Sequence, residues 1–212
     1  MSHARRPFLL FAIPLVASGL FAATLPDSPQ AVSPIPINQQ VPAVAVIGAE
    51  GNKVALVELV RGKPTILIFY RGGWCPFCNT HLAMLAENEL ALRKLGFQII
   101  GITADKPEAL APTATKAQAR YKLYSDRTMQ AAGAFGIAFR LSPEAGSRYK
   151  ENDIDVPPAP DGQGYWQPVP SAFILSADGF IRFVYHNPDP AEAIGAEQLM
   201  NAARAIAARV AP

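Results

Sequence analysis

The sequence predicts an α/β fold in which a mixed central sheet carries helices on both faces. Three observations lead there. Thr65 to Tyr70, TILIFY, is an unbroken β-rich apolar run, the mark of a strand covered on both sides. Phe97 to Ile102, FQIIGI, is a second such run. Between them Leu82, Leu85, Leu92 and Leu95 share one face of a helix over 79–95, which Gly96 stops. Strand, helix and strand in this order form a parallel crossover. Further on, 171–175 and 180–185 flank Asp178-Gly179, a hairpin signal that adds antiparallel strands.

The other elements follow in order. Ala43 to Ile47 and Lys53 to Leu59 flank Glu50-Gly51-Asn52 and read as strand, turn and strand. A helix is expected over 107–121, disturbed by Pro112, then a short strand over Lys122 to Tyr124. Asp126 precedes a helix that runs through Ala134. Ser142 to Pro168 holds Pro143, Pro157, Pro158, Pro160 and Pro168 and reads as an irregular excursion from the core, not a second domain. Ala191 to Val210 closes the chain as an alanine-rich helix. There is no internal repeat.

The chain's start differs from the rest. Arg5 and Arg6, with no acid nearby, precede the apolar run Phe8 to Ala23. A basic segment followed by an apolar one reads as an export signal, so a periplasmic or secreted location is expected. Pro14 disfavours a stable spanning helix, yet an uncleaved membrane anchor over 8–23 is the alternative, because small-x-small cleavage triplets are few. No cysteine lies near enough for a lipid anchor. The expected organisation is therefore 1–23 as signal peptide or N-terminal anchor, 24–43 as a proline-rich linker, and 44–212 as one folded domain. Loss of residues 1–23 would remove two of 19 basic residues and none of the 17 acids, leaving no net charge. A neutral domain offers no electrostatic case for nucleic acid.

Both cysteines fall in RGGWCPFCN, residues 71–79. A structural disulfide across a two-residue gap restricts the unfolded chain very little, so a purely structural role is weak. A zinc site needs three or four protein ligands, and only His3, His81 and His186 could join the pair. His3 lies in the targeting segment and His186 follows a different strand. His81 could share the helical face of Cys78, but no fourth ligand offers itself, and no metal is predicted. Haem attachment would need histidine where Asn79 stands. Redox chemistry is the remaining reading. Cys75 falls where a buried strand gives way to a helix, and Pro76 suits the first helical position. Free amides and the helix dipole there stabilise a thiolate at Cys75, with Cys78 one turn along to attack any mixed disulfide formed on it.

Trp74-Cys75-Pro76-Phe77-Cys78 after a buried strand resembles the thioredoxin superfamily, which implies a thioredoxin-like fold. The longer stretch Phe69 to Asn79 is similar to its peroxiredoxin-like redoxin branch, the AhpC/TSA family. The likeness continues through Gly101 to Asp105, Tyr124 to Asp126, Ala134 to Ile137 and Pro170 to Ile174, and covers most of 44–190. The resemblance implies Cys75 as nucleophile, Cys78 as resolving thiol, no bound cofactor and an external thiol partner that supplies or accepts electrons. Two positions depart from it. Peroxiredoxins carry threonine or serine three residues before the reactive cysteine, where this chain has Gly72. They carry an arginine three residues before a Phe like Phe173, where this chain has Pro170. Thioredoxins place a cis-proline there, which packs on the cysteines and presents backbone to a peptide. Val169-Pro170 fits that pattern, making Trp74, Val169 and Pro170 the expected substrate-binding residues.

These departures favour an exported thiol–disulfide oxidoreductase acting on protein or small-molecule disulfides. The alternative is a thiol-dependent peroxidase that reduces hydroperoxides through a Cys75 sulfenic acid. A non-catalytic redoxin-fold binding module is a third reading, which the intact cysteine pair opposes. Arg71 reads equally as a cation beside Cys75 or as a solvated charge. His81 reads as a packed histidine, since nothing pairs it with Cys75. Tyr165 and Trp166 read as anchors of an irregular loop before they read as a substrate groove. Gly72-Gly73 lacks the lysine of a phosphate loop and is a tight turn.

Overall fold

A computed structural model describes residues 25–159 and 161–210. The signal or anchor expected over 1–23 lies outside them, and no helix among the described residues is long and apolar enough to cross a membrane. The strands are β1 (Ala45–Ile47), β2 (Lys53–Ala55), β3 (Thr65–Tyr70), β4 (Gln98–Thr103), β5 (Lys122–Ser125), β6 (Ala138–Arg140), β7 (Trp166–Pro168), β8 (Ser171–Leu175) and β9 (Ile181–His186). The helices are α1 (Leu56–Val60), α2 (Pro76–Lys94), α3 (Leu110–Lys116), α4 (Gln130–Ala134), α5 (Pro143–Glu151) and α6 (Ala196–Val210). Seven strands form one sheet in the order β2-β1-β5-β4-β3-β8-β9, and β6 pairs with β7 apart from it. The pairs β3/β4 and β4/β5 are parallel and the rest antiparallel, so the sheet is mixed, as expected.

β3 lies inside the sheet, between β4 and β8, because every one of its residues can be buried. The period of two along a strand splits them between two cores. Leu67 and Phe69 face one side with Leu56, Val60, Phe135 and Phe173. Ile66, Ile68 and Tyr70 face the other, under Leu82, Leu85 and Leu92 of α2 and Leu199, Ala203 and Ile206 of α6. Phe69, Phe135 and Phe173 pack at ring separations of 5.0, 5.9 and 4.8 Å. Burial of each such ring is worth about 1.5–3 kcal/mol, which makes this trio the anchor of its layer.

Four expectations change. The strand foreseen over Lys53–Leu59 stops at Ala55, because Leu56 and Val60, one helical turn apart, both reach the core in α1. The helix over 107–121 is a 3-10 turn, Pro107–Ala109, followed by α3; Gln118, at a φ of 52°, ends it. The excursion 142–168 contains α5, whose start is ordinary: Ser142 caps Ala145 N at 3.2 Å and Pro143 occupies the first position. The final helix begins at Ala196, not Ala191.

Of the linker expected over 24–43, residues 25–43 are described and are no free linker. Residues 25–43 form a strap bonded across the domain: Arg140 N donates to Pro26 O at 2.8 Å, Ile35 N to Phe135 O at 2.9 Å, and Val41 N to Gly179 O at 2.9 Å. Val32 and Val41 are buried, and Leu25 and Ile35 pack on the core. Proline-rich composition predicts an extended spacer; the path includes a 3-10 turn at Pro29–Ala31, and the apolar residues between the prolines dock it. Gly136 is the close contact, with a φ of 70° and a Cβ position that would lie 2.1 Å from Ser33 O. Gly136→Ala is expected to cost at least about 1–3 kcal/mol, read as a lower urea midpoint, with faster proteolysis of the strap.

Candidate active site

β3 ends at Tyr70, and the turn Arg71–Trp74 delivers Cys75 to the N-cap of α2, with Pro76 at the first helical position. Cys75 N donates to Gly72 O at 3.1 Å and Cys75 O accepts from Asn79 N at 3.1 Å, so the residue closes the turn and opens the helix together. Two buried side chains hold the turn. Asp105, just past β4, accepts from Gly73 N at 2.7 Å, and Asn79 Nδ2 donates to Gly73 O at 2.8 Å. Burial pushes the Asp105 carboxyl up, against the hydrogen bond from Gly73 N that pulls it down.

Both cysteines are free thiols and both are buried. The hydrogen bond from the Cys78 thiol, aided by the amide of Cys78, the cation of Arg71 and the amide of Phe77, lowers the Cys75 pKa to about 6 against the opposing effect of burial. The same shared proton and burial push Cys78 far up. One sulfur is therefore a thiolate at neutral pH and the other keeps its proton. That asymmetry is what a nucleophile and a resolving thiol need.

Arg71 is no solvated charge. Its Nε donates to Gln167 Oε1 at 3.2 Å, and its Nη2 donates to the Tyr149 hydroxyl. The guanidinium lies 4.8 Å from the Trp74 ring and 5.7 Å from that of Tyr149, and the two rings are 5.2 Å apart. Trp74 is thus packed as a platform for Arg71, beside the nucleophile as expected but committed to internal contacts. Tyr149 and Gln167 were not foreseen. Both come from the excursion 142–168, where the cap Ser142-Pro143 signals a helix but nothing signals that it reaches the site.

Gly72 has a steric cause. A Cβ there would lie 2.1 Å from Trp74 Nε1 and 2.7 Å from Asp105 Oδ1, so the indole and the carboxylate occupy the space a threonine would need.

The proline expectation is corrected. No peptide bond among the described residues is cis, so Val169–Pro170 is trans. Val169 and Pro170 are buried, Val169 N donates to Ile137 O at 2.8 Å, Ser171 Oγ donates to Val169 O at 2.8 Å, and Asn187 N donates to Pro170 O at 3.2 Å. The crossing from β7 to β8 uses these backbone groups, and the Val169 N–H is spent on Ile137.

Neither histidine joins the cysteines. His186 is exposed on the edge strand β9. His81 sits mostly buried beside the backbone of Ile194, and burial lowers its pKa to about 4. No group of three or more His, Cys, Asp or Glu among the described residues could hold a metal. Tyr165 packs over Gly146 of α5 and Trp166 sits in the core, which makes both loop anchors.

The AhpC/TSA family model matches residues 37–184. Peroxiredoxin Bcp of Escherichia coli K12 is 28% identical over 106 residues, 50% of this chain and 67% of that protein. A putative peroxiredoxin of Mycobacterium tuberculosis H37Rv is 32% identical over 98 residues, 45% of this chain and 62% of its own length. Among solved structures, reduced Prx3 from Vibrio vulnificus in complex with hydrogen peroxide superposes with a TM-score of 0.65 at 16% identity, covering 80% of this chain and 99% of that one. Peroxidoxin BcpB of Mycobacterium tuberculosis gives 0.63 at 19% identity over 80% and 97%. These structures share the thioredoxin-like fold.

His81 gives a pH signature. Its imidazole stays neutral in the folded protein down to about 4. In the unfolded chain it takes a proton near 6.5, so the unfolded state binds more protons between these values and stability falls as pH drops through them. The loss is up to about 3 kcal/mol. Urea titrations at several pH values should show His81→Gln losing this part of the acid sensitivity.

Proposed function

Because the chain belongs to the AhpC/TSA family, we propose that it is a thiol-dependent peroxidase in which Cys75 attacks a hydroperoxide and Cys78 resolves the product. The peroxiredoxin relatives make it an enzyme of the thiol-dependent oxidoreductase class. One observation carries the assignment of roles: Cys75 is the N-cap of α2, where the free amides of the first turn favour a thiolate, and Cys78 lies buried within that turn, its thiol pushed up. Disulfide exchange on peptide substrates, the reading that Pro170 favours in the sequence, finds no cis-proline at Val169–Pro170, whereas the peroxiredoxin relatives support the peroxidase.

The Cys75 thiolate attacks the outer peroxide oxygen; an S–O bond forms, the O–O bond breaks, and an alcohol or water leaves after taking up one proton. Cys75 becomes a sulfenic acid. The Cys78 sulfur then attacks Cys75 sulfur, an S–S bond forms, and water leaves with the Cys78 proton. Two external thiol groups then restore the pair: the first forms a mixed disulfide and frees one cysteine, and the second attacks that mixed disulfide, frees the other cysteine and leaves as the donor's own disulfide. No bound cofactor enters these steps. Export of the enzyme is supported by the basic-then-apolar pattern of Met1 to Ala23, with an anchor over 8–23 as the alternative.

Stopped-flow peroxide consumption by the reduced protein tests the reading. The rate should rise with pH around a midpoint near 6 and level off by neutrality, as the Cys75 thiolate forms. Cys75→Ser should fall to the buffer rate, and Cys78→Ser should consume one equivalent and stop at a trappable sulfenic acid. Negligible peroxide consumption beside rapid insulin-disulfide reduction would assign disulfide exchange instead.

A further inference from the structure

Arg71, Tyr149 and Gln167 form a closed ring of hydrogen bonds. Arg71 donates to both partners, and the Tyr149 hydroxyl in turn lies 3.5 Å from the same Gln167 Oε1 that accepts from Arg71 Nε. The guanidinium is further confined against the indole of Trp74. Two of its five N–H groups are spent on this ring, and among the described residues the other three have no protein partner. Burial raises the stakes. Gln167 is 1% exposed, and its Nε2 is itself without a partner, an arrangement that wastes a buried donor unless the Oε1 contact matters. The ring ties residues 78 and 96 positions from Arg71 in sequence to the turn that carries Cys75.

We propose that Arg71 is the catalytic cation for the peroxide in this chain, and that Tyr149 of α5 and Gln167 of β7 are positioning residues that orient its guanidinium. This rests on the peroxidase reading. The chemistry needs a fixed cation at one moment. When the O–O bond breaks, the electron pair departs on the leaving oxygen, and the free N–H groups of Arg71 hold that negative charge until the oxygen takes a proton. A preorganised donor lowers the barrier because it need not reorient as charge develops. Pro170 stands where the family's arginine is expected, so the cation enters from the end of β3 and its restraint from the excursion 142–168. A bidentate planar group is required, which lysine cannot replace.

Two reactions of Cys75 separate positioning from mere structure. Alkylation by iodoacetamide needs the thiolate alone; peroxide reduction needs the thiolate and a stabilised leaving oxygen. Tyr149→Phe retains the ring and loses the hydroxyl. It is expected to slow peroxide reduction about ten-fold, the loss of one oriented contact, with alkylation within two-fold of the parent and an unchanged alkylation midpoint. Arg71→Met should raise that midpoint and slow peroxide reduction by about 10² or more. Arg71→Lys should restore the midpoint and not the peroxide rate. If Tyr149→Phe leaves the peroxide rate intact, or lowers both reactions alike, the positioning role is overturned. Full peroxide activity in Arg71→Lys overturns the bidentate cation. A parent protein no faster with peroxide than Cys75→Ser would overturn the peroxidase reading itself, and this inference with it.

Discussion

The site depends on one strand that cannot move. β3 is bonded to β4 on one side and β8 on the other, and its six side chains are all buried, alternately in two cores. Its C-terminal end is therefore fixed to within the packing tolerance of the whole domain. Arg71 to Cys75 begins at that point and has no slack: Asp105, fixed by β4, and Asn79, fixed by α2, grip Gly73 from either side. Cys75 arrives at the helix N-terminus as a consequence. Burial, the amides of the first turn and the Cys78 thiol all act on a sulfur whose position the sheet has already set.

The two sulfurs divide a single proton. Two thiols in water would each lose their protons near the same pH. Here the hydrogen bond between them favours one charge and opposes a second, and burial adds to the opposition. Cys78 keeps its proton until Cys75 has changed its chemistry.

The departures from the family pattern fit one another. Trp74 fills the volume that a side chain at Gly72 would need, and by lying there it supports Arg71. Gly72, Trp74 and Arg71 are a linked set: a side chain at Gly72 would meet the indole on which Arg71 rests. Pro170 turns the chain from β7 to β8.

The sequence by itself determined the sheet's central crossover, the hairpin, and the placement of Cys75 at a strand-to-helix junction. These are local: apolar runs with periods of two and 3.6, a proline at a helix start and Asp-Gly at a turn carry their meaning within a few residues. It also marked Gly72 and Pro170 as departures. What only the tertiary structure decided is everything that depends on distant partners. Lys53–Leu59 alternates well enough for a strand, and only the depth of the core beneath Leu56 and Val60 bends it into α1. The proline-rich stretch 25–43 becomes a strap because Phe135, Arg140, Gly179 and Ile181 bond its backbone and the core accepts its apolar residues. Val169–Pro170 is trans and bonded to Ile137 and Asn187, and Arg71 becomes a held cation because Tyr149 and Gln167 reach it. No periodicity records such pairings: hydrogen bonds between residues 78 or 96 positions apart are chosen by the packing of layers, which the order of residues along a single segment does not contain.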